Sequence, residues 1–297
     1  MSYRFKSEEA LADGLQRIFR EEIKSALKQT QRPVRKRGEA VHEFRKHLKK
    51  LRAAFHLVAD EIGEHRHERA DHCVRDLARV VSDLRDAQVR LQTVTQLREK
   101  FSAKAFGKIF QRIEDLLALE VDSFSAASAG WENQVAGKLA ALEKRVAHWR
   151  LKGIAWKQVC AAVTSSYRRG RDRLAHTLKK PEPENFHSWR KEVKNLWYQL
   201  RLLAPLNRVV LEEIAHDAET LGTLLGRQHD FIFLLSRLKK ERGNKSMRSE
   251  RIKLGALIRK RNKKLQRDAS ELGRRFYAEA PKIFAKRISI FIEDWAH

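Results

Sequence analysis

Glycine and proline are scarce in this chain, 13 and 5 among 297 residues, and cysteine occurs only twice, at Cys73 and Cys160. So few turn-formers argue against a fold of many short strands and hairpins. Two cysteines exclude a disulfide scaffold and fit a reducing compartment. No stretch approaches the ~20 apolar residues of a membrane span. The opening residues MSYRFKSEEALADGL hold no apolar stretch followed by a cleavage site, so no secretory signal is read there. Negative charge is also short: 38 Asp and Glu face 63 Lys and Arg, a formal net charge of +25. The expectation is a soluble cytoplasmic protein that meets a polyanion, whether nucleic acid, an anionic membrane or another polymer.

What is present is a helical pattern. Hydrophobic residues make up 42% of the chain, too many for a disordered basic tail, and long-chain charged residues abound. Three/four apolar spacing recurs almost throughout, while strand-like alternation is rare. The spacing predicts a first helix from Ser7, as N-cap, to Gln29, then a loop at Thr30–Gly38 around Pro33. Helices follow at about 39–61, 65–81, 84–100 and 104–127, with a break at 128–133 and another helix to about Arg150. The pattern resumes at about 154–179, 184–203, 208–225, 229–241, 248–275 and 281–295. Breaks are read at Pro181–Glu184, Pro205 and Gly243–Ser246.

The second half repeats the first. VHEFRKHLKKLRAAFHLV (41–58) aligns without gaps on FHSWRKEVKNLWYQLRLL (186–203). His42 matches His187, Arg45 matches Arg190, Lys46 matches Lys191 and Lys49 matches Lys194. LARVVSDLRD (77–86) then matches LGTLLGRQHD (221–230), ending in Asp86 and Asp230. The fold class read from this is all-α: a tandem helical repeat, about 1–150 and about 151–297, forming a pseudo-twofold pair of bundles.

At ~100° per residue, Val41, Phe44, Leu48, Leu51, Phe55 and Val58 share one side of their helix. His42, Arg45, Lys46, Lys49 and Arg52 form a stripe beside that seam. In the second copy the seam is Phe186, Trp189, Val193, Leu196, Leu200 and Leu203, and the stripe is His187, Arg190, Lys191, Lys194 and Arg201. Like charges at these spacings repel. A Lys/Arg run on one helix is ordinarily a solvated face, but two copies at the same spacing point to an external anion. Asp86 and Asp230 offset part of the repulsion.

HEFRKHLKKLR, HSWRKEVKNLWYQL, YRRGRDRLA (167–175) and LGRQHDFIFLL (225–235) together resemble the CHAD domain, the conserved histidine α-helical domain, over nearly the whole chain. The resemblance implies one domain, 1–297, of two four-helix bundles about a pseudo-twofold axis with a strongly basic central groove or pore. It implies binding of inorganic polyphosphate and association with polyphosphate granules. No chain length remains for the triphosphate-tunnel enzyme domain often fused to this family, so a stand-alone member is expected. His42, Arg45, Lys46, Lys49 and Arg52 match the first family motif, and His187, Arg190, Lys191 and Lys194 the second. Tyr167, Arg168, Arg169 and Arg171 match the basic helix before it. His229 and Asp230 match the later His-Asp motif, with Arg85 and Asp86 as first-repeat counterparts. Asn195 and Trp197 stand where basic residues are usual, and Gln88 where an acid is, which implies unequal halves.

The chemistry suits phosphate: Arg presents a forked donor set, Lys a mobile point charge, and a polyanion favours protonated histidine. Residues 237–264, with 13 basic and 2 acidic residues, extend the positive surface. HRHERADHC (65–73) gathers His65, His67, His72 and Cys73 but lacks paired CxxC or HExxH spacing, so a surface helix with a buried cysteine is read there. For His42 and His187, phosphate contact or a hydrogen bond to Asp86 or Asp230 fits better than a metal. The six tryptophans are read as core. The expected protein is therefore a binding module, not an enzyme, with no cofactor or metal and no membrane partner; a homodimer is left open. The alternatives are a nucleic-acid (RNA) binder, which lacks a base-reading motif, and a metal-dependent phosphohydrolase, which lacks a carboxylate cluster.

Overall fold

The structure, a computed structural model, describes residues 3–7, 9–100, 103–240 and 245–296. It is all-α, with no strand among the described residues. The helices are α1 (Leu11–Gln29), α2 (Arg37–Phe55), α3 (Ala59–Ile62), α4 (Glu64–Val80), α5 (Ser82–Lys100), α6 (Ala103–Ala127), α7 (Trp131–Ala147), α8 (Trp156–Lys179), α9 (Pro183–Leu203), α10 (Arg208–Lys240), α11 (Lys245–Phe276) and α12 (Pro281–Ala296). Among the described residues no helix is long and apolar enough to cross a membrane.

Both predicted seams are buried from end to end, Val41 to Val58 on α2 and the turn after it, and Phe186 to Leu203 on α9. They hold the molecule together. α1 packs on α2 and α7, α2 on α4, and α4 on α7, closing one ring of four helices. Edge-on aromatic contacts fill it: Phe19 lies 5.1 Å from Phe55, and Phe44 lies 5.0 Å from Trp131. In the second half α8 packs on α9 and α12, and α9 on α10. There Tyr167 stacks on Phe284 at 4.2 Å. α2 crosses to α9 and joins these groups into one core, and the Gln199 amide donates to the Ala53 carbonyl at 3.3 Å.

A further packing unit was not read from the repeat. α5 and α6 from the first half meet α10 and α11 from the second, and each packs on the next. Their core is separate from the main one, with Val94, Phe110, Ile113, Phe231, Leu234, Leu254 and Ile258 in it. α10 serves both cores, because it runs unbroken from Arg208 to Lys240. The break expected between 225 and 229 is absent. Leu225, Gln228 and Phe231 are buried around Gly226 and hold the helix through it.

Other boundaries differ for similar reasons. α1 starts at Leu11, not at Ser7, which lies in a turn. Tyr3 and Phe5 are buried, and the Phe5 amide donates to the Leu202 carbonyl, so the chain is tied down before the helix begins. The helix expected to reach 61 ends at Phe55, where buried Leu57 and Val58 turn the chain into short α3. Gly243 of the expected break lies outside the described residues, and Lys245 already belongs to α11.

The halves also differ in what ties each stripe-bearing helix to its neighbour. Buried Glu22 of α1 accepts from Lys50 at 2.8 Å and pairs with His47 at 2.5 Å. In the second copy, Asn195 aligns with Lys50 and donates instead to the buried Ser166 hydroxyl at 3.1 Å. Removing one partner of a buried ion pair strands a charge, while Ser166 accepts from Asn195 and from Arg169, and Arg169 keeps Glu192 when the hydroxyl is lost. Glu22→Ala is therefore expected to destabilise the fold by about 3 kcal/mol and Ser166→Ala by about 2 kcal/mol. Urea denaturation of the two variants checks the order.

Candidate anion-binding site

Because α2 and α9 pack on each other, the stripes beside their seams share one region. Lys49 of α2 sits in the field of Arg45 on its own helix, Arg190 and Lys194 on α9, and Arg85 on α5. Its side chain reaches solvent, yet protein crowds it on most sides. Burial, then Arg45 and the cations of α9 and α5, push its pKa down to about 8. Burial, then Arg190, lower Lys194 to about 8 as well. Lys194 lies over the Trp197 ring at 3.9 Å, and Arg201 approaches that ring at 5.0 Å. Gly222 of α10 lets Lys194 pass: a Cβ there would stand 3.2 Å from its side-chain carbons. Trp197, which aligns with Arg52, thus serves as a platform for two cations.

The carboxylates nearby leave this charge largely standing. The nearest Arg45–Asp86 approach is 4.0 Å, and Arg45 spends one donor on the Ala78 carbonyl. Asp230 acts on Arg190, whose buried Nε has no hydrogen-bond partner. Lys46 pairs with Glu43 at 3.1 Å and Lys191 is exposed. Arg52 is committed elsewhere: Asp71 receives it at 2.6 Å and Arg75 at 3.1 Å.

The histidines are placed differently from the sequence reading. His42 is 3.8 Å from Glu43, not beside Asp86, and shares a cleft of about 700 Å³ with Arg32, Arg85 and Gln88. His187 faces the His229 ring, with centroids 5.1 Å apart, and its Nδ1 is buried without a partner. His229 lies 3.8 Å from its neighbour Asp230. Burial, and then Arg85, lower the pKa of His42, while burial, Lys191, His229 and Arg190 lower that of His187. These surroundings hold both toward the neutral form.

The basic helix before the second motif is only partly drawn in. Tyr167 is a core residue whose hydroxyl donates to the Phe276 and Glu279 carbonyls. Arg171 acts on that hydroxyl together with Arg287, on the α12 side of α8, and Arg168 is exposed. Arg169 binds Glu192 at 3.1 Å and the Ser166 hydroxyl at 2.9 Å. Arg85 is the member the stripe pattern undervalued. It belongs to another helix, and only its alignment with His229 marks it.

In the 65–73 segment, His67 Nε2 lies 3.1 Å from His56 Nδ1, and His72 pairs with Asp76 at 2.9 Å. Cys73 is half-buried, not buried, while Cys160 is buried. Trp131, Trp149, Trp189 and Trp197 are buried, as read from their positions, and Trp156 packs against the same core.

A lysine whose pKa is lower folded than unfolded binds fewer protons folded, so stability rises with pH between the two values. Lys49 and Lys194 do this from pH about 8 up to the ordinary lysine value of 10.5. The Lys49→Met/Lys194→Met variant is expected to melt higher than the parent at pH 7. Its advantage should shrink toward pH 10. Thermal midpoints of both proteins across that range check this.

The comparisons agree with this architecture. No curated protein matches the chain. The CHAD domain profile matches residues 17–239, which takes in both stripe-bearing helices, Arg85 and the His229–Asp230 pair. By that match the chain belongs to the CHAD domain family.

Proposed function

We propose that this protein binds inorganic polyphosphate in a basic groove between its two repeats, and that it acts as a binding module. One observation carries the reading. Lys49 from the first repeat and Arg190 and Lys194 from the second sit in one field, with no carboxylate at bonding distance described for these three. A fold that brings like charges together in this way gains when an anion arrives. Membership of a family that binds polyphosphate supports the same ligand.

In this reading Arg45, Lys49, Arg85, Arg190 and Lys194 supply the central contacts, and His42, Lys46, His187, Lys191 and His229 extend them. Arg190 adds a fixed charge from α9, and Lys194 reaches from its tryptophan platform. A thin, flexible chain of phosphates threads between helices and meets both walls at once. Each neutralised phosphate releases counterions, so binding weakens with salt. Association with polyphosphate granules would follow from retention on the polymer.

Arg45→Glu/Lys49→Glu and Arg190→Glu/Lys194→Glu are each expected to abolish retention on immobilised polyphosphate while helicity stays intact. Unchanged retention by both variants would remove the site. Five neutralised phosphates predict an affinity loss of roughly a hundredfold between 50 and 200 mM salt, read by pull-down across a salt series.

The pH dependence has a definite sign. Lys49 and Lys194 are charged below about 8 when free, and a bound anion raises both values. The lysine share of the affinity is therefore full well below pH 8 and falls as the pH rises through that value, while protonation of the histidines adds to binding only on the acid side. Lys49→Arg/Lys194→Arg is expected to flatten the fall between pH 8 and 10, measured by titration with polyphosphate of one chain length.

A further inference from the structure

We propose that the outward face of α11 binds double-stranded nucleic acid through its phosphates, without reading sequence, at a surface separate from the α2–α9 cations. Between Glu250 and Asp268 the chain holds eight Lys and Arg and no carboxylate. Leu254 and Ile258 are buried in the separate core with α6 and α10, which fixes the side of α11 that faces away. At 100° per residue, Arg259 and Lys263 lie on one edge of that outward face and Lys253 and Lys264 on the other. Lys260 and small Ala256 lie between them. All six are exposed. The main charges acting on Lys49 and Lys194 come from α2, α5, α9 and α10.

The shape selects the partner. The site proposed above, with cations from α2 and α9 around Lys49, suits one thin chain. The α11 face is convex and wide, and a single polyphosphate strand would meet only one row of its cations. A duplex offers a backbone on each side of a groove that admits a helix, so both edges of the face find phosphates. From Lys253 to Arg267 the face runs ~21 Å. Asn262 is buried and Gln266 half-buried, so the amides suited to base edges do not lead the surface. A protein built this way holds a phosphate polymer in one place and nucleic acid in another.

The test is fluorescence anisotropy of the full chain with a labelled 30-base-pair DNA duplex over a salt series. Lys260→Glu/Lys264→Glu is expected to weaken duplex binding at least tenfold and to lessen the salt slope by about 2. Arg45→Glu/Lys49→Glu should keep duplex affinity within about twofold, whatever it does to polyphosphate. In the unmutated protein, the duplex should protect Lys253, Lys260, Lys263 and Lys264 from acetylation. Full duplex affinity in Lys260→Glu/Lys264→Glu would overturn the proposal, as would its loss in Arg45→Glu/Lys49→Glu. Loss of polyphosphate binding alone on reversing the α11 lysines would assign the face to the thinner polymer and overturn it too. These readouts use DNA, so their failure is distinct from failure of the polyphosphate reading.

Discussion

The structure depends on a contest between two neighbouring stripes of each helix. The apolar seams of α2 and α9 bury against a common core, and burial of a large side chain is worth about 2 kcal/mol. The cationic stripes beside them are thereby forced together and repel. The seam residues Val41, Phe44, Leu48, Leu51 and Phe55, with Phe186, Trp189, Val193, Leu196 and Leu200, are buried almost without remainder. That many fully buried contacts outweigh the repulsion among a handful of charges that still touch water. The depressed lysines on α2 and α9 record the strain left over.

The repeat is clear in sequence but is not a copy in chemistry. Where the first half uses Glu22 with His47 and Lys50, the second uses Glu192 with Arg169 and Ser166 with Asn195. Arg52 is answered by Asp71, and its aligned partner Trp197 carries Lys194 and Arg201 on its ring. Each half thus anchors its stripe by different means while keeping Arg45 and Arg190, and Lys49 and Lys194, in matching places. The departure at Asn195 replaces a charge with a neutral hydrogen bond, and that at Trp197 replaces one with a platform.

The helix class, the seams and the stripes were legible because burial in a helix follows a 3.6-residue period that the residues themselves display. Three things were not legible. The contact of α5 and α6 with α10 and α11 is a long-range pairing, and periodicity marks an apolar face without naming what covers it. The start of α1 was displaced by Tyr3 and Phe5, whose burial outweighs the capping preference of Ser7. The neutralisation of Arg52 rests on Asp71, a residue 19 positions away that aligns with no motif. Arg85 was visible only through the alignment of 77–86 on 221–230, because a stripe pattern reports one helix at a time.

The unbroken course of α10 has a mechanical result. Its first half lies in the main core with Leu211, Leu221 and Leu225, its second in the separate core with Leu234 and Leu238, and His229 and Asp230 stand at the junction. A helix of 33 residues is a stiff rod ~50 Å long. The two cores cannot pivot about a hinge at that point. A tilt of α5, α6 and α11 against the main core must therefore move this rod as a whole, and with it His229, whose ring faces that of His187 on α9.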